Sequence, residues 1–123
     1  KAWSVAKADT IFSKWIRARD GKCLKCSKKI TAENPQQFHC AHVLSRRYGA
    51  TRFDSTNAIC LCAGCHFWWH EDPVASGKWF IATFGEALYA KVYTRSLIHY
   101  SKNDAAAEAQ TWLQPWERSM RGK

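Results

Sequence analysis

Apolar residues return at three- and four-residue steps from Trp3 to Arg19: Val5, Ala8, Ile11, Phe12, Trp15 and Ile16, with Lys7, Lys14, Arg17 and Arg19 spread over the polar side. That period predicts an amphipathic helix, and Gly21 supplies its stop. The pattern then shortens. Cys23 to Lys29 reads as a turn and Thr31 to Gln37 as a polar loop around Asn34-Pro35. Two short extended pieces follow, Phe38 to Leu44 and Ala58 to Leu61, separated by the loop Ser45 to Thr56, which holds Gly49 and three arginines. Helical order resumes over His66 to Glu71 and halts at Asp72-Pro73, because a residue before proline avoids helical angles. From Ser76 to Leu113 the stripe Phe80, Phe84, Leu88, Val92, Leu97 and Ile98, then the run of helix formers from Ala105, predicts mainly helix. The end of the chain, from Glu117, reads as a basic, partly disordered tail. The expected fold is therefore α+β, mainly helical, in a single domain spanning residues 1–123, with helical flanks over 3–19 and 76–113.

Composition adjusts this picture in two ways. With 123 residues, 46% of them hydrophobic, the chain can build only a modest core, which a metal staple would reinforce. Nineteen Lys and Arg against ten Asp and Glu give a net charge of +9, an excess that predicts an anionic polymer, DNA first, as partner. No run of about 20 apolar residues occurs, so the expectation is a soluble, cytoplasmic protein with no membrane partner.

The cysteines carry the sharpest signal. Cys23-x-x-Cys26 and Cys62-x-x-Cys65 are two pairs at the spacing that wraps one tetrahedral Zn²⁺ in four thiolates, and such a closed site is structural because no position is left for substrate. The x-x spacing and the low cysteine density favour metal over disulfides. Cys60 reads as a small buried hydrophobe. Any chemistry then falls to His39, Cys40, His42, Arg46, Asp54, Asn57, His66 and His70, which lie between and just after the pairs.

Over roughly Cys23 to Pro73, the Cys-x-x-Cys pair, Ala-His-Val, Arg-Phe-Asp-Ser-Thr-Asn and Leu-Cys-x-x-Cys-His resemble the ββα-metal core of the HNH endonucleases. In detail the order is most similar to the phage-borne HNH proteins and the NinG-type recombination nucleases. The resemblance implies a His-Me finger core over about residues 23–73 and a metal-dependent hydrolase of DNA phosphodiester bonds that leaves a 5′ phosphate. A setting beside a phage packaging motor or in recombination, in the host cytoplasm, goes with it. His42 would be the general base, Asn57 would orient His42 or touch the metal, and His66 would hold one catalytic divalent ion, Mg²⁺, Mn²⁺, Ni²⁺ or Zn²⁺. Arg46, just after the base, would grip a phosphate oxygen.

One position departs from the family pattern. The usual metal-binding residue directly before the base is Ala41 here, which leaves His39, Cys40, Asp54 and His70 as candidates for the missing ligand. His70 shares a helix face with His66 four residues earlier, as in colicin-type DNases that resemble this core. A rival reading is a zinc-ribbon module that binds nucleic acid without cutting it. It accounts for the cysteines and the charge but gives His42, Asn57 and His66 no task.

Overall fold

The computed structural model describes residues 1–122. Helix α1 runs from Val5 to Asp20. The Ser4 hydroxyl caps it by accepting the Lys7 amide at 3.1 Å, and Gly21, at φ 68°, closes it in the left-handed conformation that glycine adopts without cost. Its apolar stripe, Ala8, Ile11, Phe12 and Ile16, is buried.

Strands β1 (Phe38–His42) and β2 (Ala58–Cys62) form one antiparallel pair in which Phe38 faces Cys62 and His42 faces Ala58. The sheet lies between α1 and α3 (Ala63–Glu71), which follows β2 directly. All five residues of β2 are buried, and its outer edge is closed by side chains and by the first cysteine turn. The Cys60 amide donates to Asp20 Oδ2 at 2.9 Å, the Cys60 carbonyl accepts the Leu24 amide at 3.0 Å, and Arg19 Nη2 donates to the Ala58 carbonyl at 2.8 Å. An edge strand left bare would invite pairing with another chain.

The link from β1 to β2 is more ordered than a plain loop. It holds the short helix α2 (Gly49–Arg52) and a single 3₁₀ turn, Ser55–Asn57. Gly49 sits so close to the chain that a Cβ there would collide with the Tyr100 carbonyl, which explains its lack of a side chain.

The C-terminal part is helical as expected, but in three pieces: α4 (Pro73–Phe84), α5 (Glu86–Ser96) and α6 (Lys102–Arg121). Gly85, at φ 101°, breaks the stripe between Phe84 and Leu88. Continuing that stripe four residues beyond Val92 leads to Ser96, which is buried, so Leu97 and Ile98 turn outward at 65% and 60% exposure rather than joining it. The expected disordered tail is also corrected. Helix α6 continues to Arg121, with an ion pair between Arg121 and Glu117 in its last turns, while Lys123 lies outside the described residues. Ala105, Ala106, Ala109 and Leu113 bury the inner face of α6. There α6 meets α1, and Trp112 packs edge-on against Phe12 and Trp15, ring centres 6.2 and 5.0 Å apart. No helix among the described residues is long and apolar enough to cross a membrane.

Candidate functional site

Two sites stand on this frame. The first is the sulfur cluster. Cys23 opens a tight turn in which its carbonyl accepts the Ser27 amide and its own amide donates to the Lys28 carbonyl, both at 2.9 Å. Cys62 ends β2 and caps α3, and Cys65 lies one turn further on. The continuous step from strand to helix thus aims the second pair at the first. The four ligand atoms all lie within 4.8 Å of one another, and the sulfurs of Cys26 and Cys62 are 3.8 Å apart. Burial raises the Cys23 thiol, but amide donors from Cys26, Cys62 and Lys25 outweigh it and bring the pKa down to about 7. The four cysteines form a cluster built to hold a metal ion.

The second site is a cleft of about 700 Å³. Asp9 and Ser13 of α1 form one wall, Cys40 and His42 mark the side of β1, and His66 and His70 of α3 stand opposite. Arg46, Arg47 and Arg52 reach it from the link between the strands. The sheet geometry explains why His42 and His66 meet here. His42 points toward α1, its ring 5.8 Å from that of Phe12, whereas His39, on the opposite face of β1, points toward His66 of α3.

His42 Nε2 lies 3.0 Å from the Arg52 carbonyl. A carbonyl can only accept, so Nε2 carries the proton and Nδ1 keeps its lone pair. Burial, first of all, lowers the His42 pKa below 6.5, the Arg46 charge adds to this, and the Arg52 carbonyl and Asp9 oppose it. The imidazole is neutral at pH 7. Trp69 steadies it from behind by donating its indole N–H to the His42 carbonyl at 3.2 Å.

Three further histidines, His39, His66 and His70, form a chain. His39 Nδ1 is 2.9 Å from His66 Nδ1, and His66 Nε2 is 3.1 Å from His70 Nε2. Burial, followed by the charges His70, His39 and His42 would carry, pushes the His66 pKa down to about 4. At neutral pH the His66 ring is therefore uncharged.

The remaining sequence candidates sit elsewhere or are otherwise engaged. Asp54 is occupied by the Thr56 amide and hydroxyl, at 2.9 and 2.7 Å, and by Arg95 of α5 at 3.7 Å. Cys40 lines the cleft, but burial pushes its thiol up to about 12, far from the thiolate a metal requires. Asn57 is wholly buried. Its amide nitrogen donates to the carbonyls of Thr51 at 2.9 Å and Leu44 at 3.1 Å, and its oxygen accepts the Leu44 amide at 2.8 Å. Its side chain serves the link between the strands, and so reaches His42 only through the Arg52 carbonyl that this link presents.

Sequence reasoning missed Asp9 and Arg52. Arg52 grips both carboxylate oxygens of Asp9, at 2.6 and 3.0 Å, while Arg46 approaches at 3.6 Å. Arg52 also donates to the Arg46 carbonyl at 2.8 Å. The one available signal was an acid in the middle of the otherwise neutral and basic polar face of α1, whose other acid, Asp20, ends the helix, and it was too weak to read without the fold. Phe67 is 67% exposed, whereas Trp69, two residues further on, is buried.

Replacing Asn57 by alanine strips three buried backbone groups of their partner. The expected cost is about 2–4 kcal/mol of stability, measured by urea unfolding, because orphaned buried groups lose their full hydration. No protein-family model, curated protein or solved structure matches the chain.

Proposed function

We propose that this protein is a metal-dependent DNA endonuclease of the HNH type, with a ββα-metal core formed by β1, β2 and α3 and stapled by Zn²⁺ at the four cysteines. The observation that carries the reading is one cleft containing a neutral His42 with a free Nδ1, the histidines of α3, and three arginines. The staple fits its donors. A tetrahedral ion with Zn–S bonds of about 2.3 Å requires sulfurs about 3.8 Å apart, the separation of Cys26 and Cys62.

His66 would hold the catalytic ion together with His39 on its Nδ1 side or with His70 on its Nε2 side, and imidazole donors suit Zn²⁺ or Ni²⁺ better than Mg²⁺. His39 is two residues before Ala41 on the same strand face, so it answers the ligand missing at that position. A divalent ion bound there would stabilise charge on the scissile phosphate and on the departing oxygen. His42 Nδ1 accepts a proton from the attacking water while Nε2 stays bonded to the Arg52 carbonyl, which favours the imidazolium as it forms. Arg46, 58% exposed along its side chain, is free to swing onto a phosphate, whereas Arg52, 11% exposed and locked to Asp9, holds the wall in place.

Supercoiled plasmid incubated with Mg²⁺, Mn²⁺, Ni²⁺ or EDTA tests the reading. Nicked or linear product with a divalent ion and none with EDTA is expected. Retention of DNA in a gel with no cleavage under any ion would favour the non-catalytic zinc-ribbon module instead. The pH dependence carries a definite sign. Because the His42 pKa is lowered, the base stays unprotonated further into acid, so the acid limb of kcat/KM should fall below 6.5. A limb above that value would point to a different base.

A further inference from the structure

Two cysteines stand outside the sulfur cluster, and the strand register places them opposite each other. Cys40 on β1 pairs with Cys60 on β2, so their side chains leave the sheet on the same face. The kind of pairing follows from the hydrogen bonds. The Cys60 amide donates away from β1 to Asp20, and the Cys60 carbonyl accepts from Leu24, also away from β1. In an antiparallel ladder a residue whose backbone groups both turn outward belongs to a non-hydrogen-bonded pair, where Cα atoms are about 4.5 Å apart and side chains come closest. That lies inside the range of about 4.4–6.8 Å which a disulfide spans. Both cysteines are free thiols.

We propose that Cys40 and Cys60 are a site of oxidative modification, closing to a cross-strand disulfide when a peroxide enters the cleft. Access is one-sided. Cys40 borders the cleft, whereas Cys60 is fully buried, so an incoming oxidant meets Cys40 first. The thiolate is the attacking form, and burial keeps it a minor fraction at Cys40, so closure is slow at neutral pH and faster in alkali; its sulfur attacks one oxygen of hydrogen peroxide, the O–O bond breaks, and the products are a sulfenic acid and water. The Cys60 sulfur then attacks the Cys40 sulfur and displaces its hydroxyl, which leaves as a second water with the Cys60 proton. Peroxide is reduced to two waters, and the two thiols are oxidised to one disulfide. The site does not depend on the proposed nuclease activity.

The zinc-loaded full chain is treated with hydrogen peroxide, free thiols are blocked with N-ethylmaleimide, and peptides are mapped by mass spectrometry without reduction. The expected product is a Cys40–Cys60 linked peptide that dithiothreitol removes. In Cys60→Ala the link disappears and dimedone labels Cys40, trapping the sulfenic acid. Circular dichroism confirms that the variant folds, and the wild-type map stands even if it does not. Links confined to Cys23, Cys26, Cys62 and Cys65, with Cys40 and Cys60 both blocked by maleimide, would overturn the proposal.

Discussion

Substituting Cys62 by serine is expected to leave a chain with no cooperative thermal transition. Cys62 is the last residue of β2, the cap of α3 and a neighbour of Cys26 at 3.8 Å, so one sulfur ties the first cysteine turn to the sheet and to the helix that carries His66 and His70. The magnitude follows from comparing two numbers. Binding of a structural zinc supplies about 10–16 kcal/mol in finger-sized peptides, whereas a whole domain is stable by only about 5–15 kcal/mol. Losing one of four ligands need remove only part of the first to exhaust the second. Circular dichroism melts with and without a strong chelator check this. Chelation of the wild type should reproduce the mutant, and Cys23→Ser, at a position with no solvent exposure, should behave alike. A Cys62→Ser protein that melts within a few degrees of the wild type would mean that the core holds without the cluster.

Why one half of this architecture was readable and the other was not comes down to range. Local signals worked. The helical period of α1, the glycine stop at Gly21, the break at Asp72-Pro73 and the cysteine spacing each depend on residues within one or two turns. The strands were legible for the same reason: β1 stops two residues before the expected Leu44, and β2 runs one residue past the expected Leu61. What could not be read depends on partners far away in the chain. Asp9 and Arg52 are 43 residues apart. The role of Asn57 is set by the carbonyls of Leu44 and Thr51, and the inward turn of Ser96 in place of Leu97 is set by where α5 meets its neighbours. The α6 tail misled because its many charges read as disorder, while the pairing of Glu117 with Arg121 needs the helix already formed.

The cleft also separates residues that position from residues that react, and this division makes the second large prediction. Asn57, Asp9 and Trp69 hold the framework, so their loss should cost stability as well as any activity. His42 differs. It faces the cleft, and its Nε2 engages a carbonyl that water could serve equally well once the ring is gone. His42→Ala is therefore expected to lower plasmid cleavage by about 10²–10⁴-fold, the range for removing a general base. Its melting temperature should fall only by the few degrees that correspond to about 1 kcal/mol of lost packing on Phe12. Imidazole added to the variant should restore part of the rate, because a small base can occupy the space the side chain leaves, whereas it cannot repair a distorted scaffold. If His42→Ala unfolds as Cys62→Ser does, the imidazole is a structural element. If it cuts at the wild-type rate while folded, water is activated by some other group in the cleft, and the neutral Nδ1 between α1 and the α3 histidines has no chemical task.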